Sequence, residues 1–108
     1  MRVLLTGFEP FGGSYINSSW ETAYQIGQLT INGVDMEVAQ LPVSFVSSGK
    51  LIRKLLQTHK PDALVMLGQR GKGQKIDIER LAVNMMDSAN SDNDGFCPCG
   101  LPIVENGS

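Results

Sequence analysis

Val3-Leu4-Leu5-Thr6-Gly7-Phe8-Glu9-Pro10-Phe11-Gly12-Gly13 decides how the rest of the chain is read. A short apolar run from Val3 to Thr6 has the length and composition of a buried strand. The residues after Gly7 cannot continue it, because Pro10 lacks an N–H and two glycines loosen the backbone. The stretch is therefore a strand that ends in a loop. The next forty residues repeat the alternation. Ser18 and Ser19 offer N-caps, and Trp20, Ala23, Tyr24 and Gly27 follow at helical spacing to about Gln28. Asn32-Gly33 marks a turn. Met36 to Val43 alternates imperfectly as a strand, with Pro42 near its end.

A second helix is expected with Ser47 or Ser48 as its cap. Leu51, Ile52, Leu55 and Leu56 form its apolar stripe, and Lys50, Arg53 and Lys54 lie outside it. Pro61 stops it. The continuous apolar run Ala63-Leu64-Val65-Met66-Leu67 has the character of a parallel strand covered on both faces. A glycine-rich loop, Gly68 to Lys75, follows. Leu81 to Met86 is expected to be a fourth strand, Asp87 to Gly100 a loop or hairpin, and Ile103-Val104 a small strand. Strands alternating with helices predict an α/β sheet with helices on both faces. Such folds put their sites at the carboxyl ends of the strands. The two oddest loops, after Thr6 and after Leu67, both fall there.

Composition narrows the class. The chain has 108 residues, 42% apolar and 19% charged, which suits one soluble domain. A net charge of −2 gives no basic face for nucleic acid. No apolar run approaches the ~20 residues that span a bilayer. The amino terminus does not read as a signal peptide, so a cytoplasmic location is expected. Cys97-Pro98-Cys99 is read as a pair of reduced loop thiols, because one intervening residue rarely allows disulfide geometry. The single histidine, His59, is too far along the chain to complete a metal site with them. At a helix carboxyl end it suits the dipole.

Three groups of residues invite a functional reading, each beside a plainer one. Phe8 and Phe11 are two aromatics in a glycine–proline loop. They either tuck under the loop as a satellite core or form an apolar slot for a flat ligand, with Asn17 giving a directional hydrogen bond. Gly68-Gln69-Arg70-Gly71-Lys72-Gly73 either cradles an anion or is a connection whose glycines satisfy turn dihedrals. It matches neither the P-loop nor the dinucleotide fingerprint. Glu79, in Ile76-Asp77-Ile78-Glu79-Arg80-Leu81, either orients a catalytic histidine or forms a solvated charge pair with Arg80.

Together these segments resemble pyroglutamyl peptidase I, the cysteine peptidase family that removes N-terminal pyroglutamate. Leu5 to Gly13 with Ile16-Asn17 resembles the family's opening signature. Leu41 to Phe45, Lys60-Pro61-Asp62 and Gly68-Gln69 keep its register. Ile78-Glu79-Arg80-Leu81-Ala82-Val83-Asn84 is similar to the stretch around its catalytic glutamate, and Asp92 to Gly95 and Pro102 to Val104 continue it. The resemblance covers nearly the whole chain and implies a three-layer α/β/α fold with a mostly parallel sheet. Residues 1–108 would be the incomplete N-terminal part of one such domain.

The resemblance further implies a Cys-His-Glu arrangement in which Glu79 orients the histidine. Phe8 and Phe11 hold the lactam ring, and Asn17 and Gln69 shape the pocket, Gln69 through its backbone. That suits a flat, neutral ring with no free amine. The substrate implied is a peptide with N-terminal pyroglutamate. No metal or cofactor is implied. The family's nucleophilic cysteine and its histidine lie in its second half, and neither Cys97 nor Cys99 stands at the nucleophile position. Gly73 and Ala89 stand where the family usually has arginines. The chain alone is expected to be inactive, and unstable or oligomeric through an uncovered sheet edge. A homo-oligomer is expected for the complete protein. The alternative is a non-catalytic module that binds pyroglutamate or another small lactam. A weaker alternative is a nucleotide- or phosphate-binding domain.

Overall fold

The computed structural model describes residues 1–70 and 75–107. The elements run β1 (Arg2–Phe8), α1 (Ser18–Gly27), β2 (Asp35–Leu41), α2 (Phe45–His59) and β3 (Ala63–Met66). The three strands form one parallel sheet in the order β2-β1-β3. Among the described strands only β1 has a neighbour on each side, and it is the most buried of the three. Val3, Leu4, Leu5, Thr6 and Gly7 are all buried. The hydroxyl of Thr6 is buried without a hydrogen-bond partner among the described residues.

The chain moves from β1 to β2 in one direction and returns across β1 to reach β3. Right-handed crossovers then put α1 and α2 on opposite faces of the sheet. The α1 face is built on a close approach. A Cβ at Gly7 would lie 2.5 Å from the Ser19 carbonyl oxygen and 2.7 Å from the Trp20 Cα. Gly7 thus lets a helix backbone rest directly on the central strand. At the far end of α1, a Cβ at Gly27 would clash with the Val38 side chain of β2.

Both helices start earlier than the serine caps suggest. Asn17, in extended conformation, caps α1, and its side chain accepts from the Ser19 N–H. Ser44 caps α2 by accepting from the Ser47 N–H at 3.0 Å. Ser18, Ser19, Ser47 and Ser48 therefore lie inside the helices they were expected to cap. The expected apolar stripe of α2 is half-buried, and Lys50, Arg53 and Lys54 are exposed. Lys60 closes α2 in the left-handed region at φ 46°, ahead of Pro61. β2 spans Asp35–Leu41 rather than reaching Val43.

The expected fourth strand at Leu81–Met86 does not form. Its only ladder contact is an isolated antiparallel bridge between Met86 and Leu101. Leu81 and Val83 are exposed, as are Ile76 and Ile78 before them. A strand needs a neighbour for successive N–H and C=O groups, and among the described residues only Met86 of this segment pairs in that way, with Leu101. The small strand at Ile103-Val104 is also absent. Those two N–H groups instead donate to the Asn84 side-chain oxygen at 2.9 and 2.8 Å. Among the described residues no strand lies beyond β3, and the run expected to be covered on both faces is not, with Val65 43% and Met66 62% exposed. The chain is an α/β fold with a layer on each face of a small parallel sheet.

Candidate active site

The carboxyl ends of β1 and β3 carry the loops singled out in the sequence. Phe8 is the last residue of β1 and is half-buried. Its N–H donates to the Ser19 hydroxyl at 2.9 Å, which ties the start of the loop to the first turn of α1. Phe11 is 37% exposed, so it is not tucked into a satellite core. Beyond it, Gly12 and Gly13 take positive φ of 62° and 79°, which only glycine adopts without strain.

Asn17 is only 2% exposed. Its amide donates to the Glu9 carbonyl at 3.1 Å. Its oxygen accepts from the Ser19 N–H at 2.9 Å and from the Ser19 hydroxyl at 2.6 Å. The residue is thus a brace between the aromatic loop and α1, with its oxygen engaged twice. Gln69, just past β3, plays a matching part. Its side-chain oxygen accepts from the Ser18 N–H at 2.6 Å, which satisfies one of the open donors of the α1 amino terminus. Neither bracing role is visible in sequence, because both partners belong to a helix start that the serines disguised.

Glu79 is exposed and lines an open cleft of about 1010 Å³ beside β3, together with Ser18, Ser19, Gln69, Arg70 and Asp77. The structure therefore brings Glu79 and Gln69 to one cleft. Phe8 and Asn17 adjoin it through their bonds to Ser19 without lining it, and Phe11 does not line it either. Among the described residues the one ion pair joins Arg70 to Asp77. Glu79 and Arg80 do not form the expected surface pair, and Arg70 is committed to a carboxylate rather than offered to an anion. Gly71, Lys72 and Gly73, the rest of that glycine loop, lie outside the described residues. Ala89 is exposed.

The other nucleophile and base candidates are elsewhere. His59 lines a separate hollow with Arg2, Asp35 and Glu37 at the amino end of the sheet. Cys97 and Cys99 are free and exposed, on either side of the buried Pro98. The Cys97 thiol donates to the Ser88 carbonyl at 3.3 Å. Neither cysteine lines the cleft of Gln69 and Glu79. Among the described residues, no group of three or more His, Cys, Asp or Glu could hold a metal ion. No helix there is long and apolar enough to cross a membrane.

Sequence reasoning gave Asp92 no role beyond keeping register, yet it organises a whole corner. Its Oδ2 accepts from the Phe45 N–H at 2.9 Å, at the start of α2. Its Oδ1 accepts from the Asp94 and Phe96 N–H groups, each at 2.9 Å. The Phe45 N–H, followed by those of Phe96 and Asp94, holds this carboxyl below the usual aspartate range against the opposing effect of burial. Phe96 meets Phe45 edge-on, with ring centroids 6.0 Å apart.

The fold is shared with known proteins. A family model for pyroglutamyl peptidase matches residues 1–108. The pyrrolidone-carboxylate peptidase of Thermococcus onnurineus is 44% identical over 105 residues, 97% of this chain and 52% of that protein. That of Gloeobacter violaceus is 42% identical, over 95% of this chain and 50% of its own length. The crystal structure of the pyrrolidone carboxyl peptidase of Fervidobacterium islandicum superposes with a TM-score of 0.95 at 35% identity, covering 100% of this chain and 52% of that one. The pyroglutamyl peptidase I of Bacillus amyloliquefaciens gives a TM-score of 0.92 at 34% identity, over 99% of this chain and 52% of its own. The chain spans about half the length of the relatives it matches.

Proposed function

This chain belongs to the pyroglutamyl peptidase family, and on that premise we propose that it supplies the ring-holding half of a cysteine-type omega peptidase that removes N-terminal pyroglutamate from peptides. Phe8 and Phe11 hold the lactam ring between apolar faces. Asn17 and Gln69 shape the pocket, with the backbone of Gln69 left to bond the ring amide. Glu79 orients a histidine that takes the proton from a cysteine thiol attacking the pyroglutamyl carbonyl. The observation that carries this reading is that Gln69 and Glu79 line one cleft beside β3, bordered by Ser18 and Ser19 at the start of α1, to which Phe8 and Asn17 are bonded. The thiol and imidazole belong to the part of the domain outside residues 1–108, so the chain by itself does not hydrolyse. The position of His59 at the opposite end of the sheet supports that. The complete protein is a cytoplasmic homo-oligomer, in a compartment where exposed thiols such as Cys97 and Cys99 stay reduced.

The test fuses residues 1–108 to the remaining half of the Thermococcus onnurineus relative. A fluorogenic pyroglutamyl amide is then assayed with the fusion and with the 108-residue chain. The expected result is no turnover by the chain alone, and turnover by the fusion that falls about 100-fold or more in Glu79→Gln. A folded fusion whose rate ignores Glu79→Gln removes the role given to Glu79. Turnover by the chain alone that disappears in Cys97→Ser or Cys99→Ser would transfer the nucleophile to those thiols. A second reading, a lactam-binding module without catalysis, is favoured by the exposure of Phe11 in this chain. Calorimetric heat with pyroglutamate, with no turnover by the fusion, would select it.

A further inference from the structure

The loop that carries Phe8 and Phe11 has little packing of its own. A Cβ at Gly12 or Gly13 would meet nothing within 4 Å. Its internal hydrogen bonds among the described residues are few: the Ser14 N–H donates to the Phe11 carbonyl at 3.2 Å, and the Asn17 side-chain amide to the Glu9 carbonyl at 3.1 Å. Yet the residues between the two rings are held from distant parts of the chain. The half-buried carboxylate of Glu9 accepts through Oε1 from the Val43 N–H at 3.0 Å and from the Asn93 side-chain amide at 3.1 Å. That amide also donates to the Pro10 carbonyl at 3.0 Å. The Glu9 N–H donates to the Leu41 carbonyl at 2.9 Å, and the Asn93 N–H to the Val43 carbonyl at 2.9 Å.

We propose that Glu9 and Asn93 are positioning residues that clamp the aromatic loop to the β2–α2 turn and so fix where Phe8 and Phe11 present their rings. What those rings hold rests on the function proposed above; the clamp rests on the hydrogen bonds alone. The chemistry favours a carboxylate here. Two N–H donors converge on one oxygen, and a charged acceptor makes each bond stronger than a neutral one would. Aspartate, one methylene shorter, would not span the same gap. Pro10 fixes its own φ and has no N–H to compete, so the clamp acts on a short, stiff segment. A loop ordered in advance spares the ligand the cost of ordering it.

The test labels the chain with 4-fluorophenylalanine, which reports on its 4 phenylalanines, and titrates it with pyroglutamate. Glu9→Ala is expected to move the Phe8 and Phe11 fluorine resonances toward unfolded values, leave Phe45 and Phe96 in place, and weaken pyroglutamate binding about tenfold. Glu9→Gln keeps an acceptor oxygen and restores most of both. Asn93→Ala, in an exposed turn, reproduces the loss in weaker form and decides the matter if Glu9→Ala does not fold. Native Phe8 and Phe11 resonances with unchanged pyroglutamate affinity in Glu9→Ala and Asn93→Ala would overturn the clamp. If the unsubstituted chain ignores pyroglutamate while the substitutions still release the two rings, the clamp stands and the lactam reading falls.

Discussion

Replacing Gly7 with alanine tests the seating of α1 on the sheet, on which the site depends. The new methyl would sit 2.5 Å from the Ser19 carbonyl oxygen, 2.6 Å from its carbon and 2.7 Å from the Trp20 Cα. All three are backbone atoms, so no side chain can swing aside. Reaching ordinary contact, about 3.5 Å, requires α1 to retreat by roughly 1 Å. Overpacking of this kind costs roughly 1–3 kcal/mol. The retreat also stretches the 2.9 Å bond from the Phe8 N–H to the Ser19 hydroxyl, worth roughly 0.5–1.5 kcal/mol. The expected loss is therefore about 2–4 kcal/mol. At ~4–8 °C per kcal/mol for a domain of this size, melting falls by at least about 8 °C. Thermal and urea unfolding followed by circular dichroism would measure it. Gly49→Ala, within α2 and with nothing within 4 Å of its Cβ, is the control and is expected to gain roughly 0.5–1 kcal/mol. A Gly7→Ala chain that melts within about 0.5 kcal/mol of the parent would refute the close approach.

Two further perturbations probe the braces. Asn17→Ala removes the cap of α1 and leaves the buried Ser19 N–H and the Glu9 carbonyl unpaired, so urea titration should show a loss of roughly 1–3 kcal/mol. Asp92→Asn should destabilise the chain at neutral pH, with the gap closing under acid. The folded Asp92 carboxyl titrates below its unfolded value. Its contribution is therefore whole above about pH 4 and is lost as pH falls through the folded value. Melting curves of parent and variant between pH 7 and 2 would check this, and a gap constant across that range would contradict it.

Much of this was legible in residue order. The apolar runs at Val3–Thr6 and at Ala63 and the helical stripe Leu51–Leu56 are local patterns, and each lies in an element of the expected type. The loops after β1 and β3 were marked by Pro10 and by glycines, whose backbone chemistry is also local. Helix starts were misplaced by one to four residues. A cap depends on which oxygen reaches the free N–H groups, and Asn17 and Ser44 competed with neighbouring serines equally able to do so.

What failed at Leu81–Met86 is of a different kind. Apolar composition gives a segment the capacity to be a strand, but pairing makes it one, and pairing requires a neighbour. The sequence alone settled the alternation of strands and helices from β1 to β3 and the ends of the sheet at which the loops emerge. Only the tertiary structure decided that β1 lies between β2 and β3, and that Gly7 exists for a helix backbone to rest on. Only there does Asn93 reach Glu9 across 84 positions of chain. Such contacts depend on chain segments meeting in space, and no local pattern of side chains encodes them.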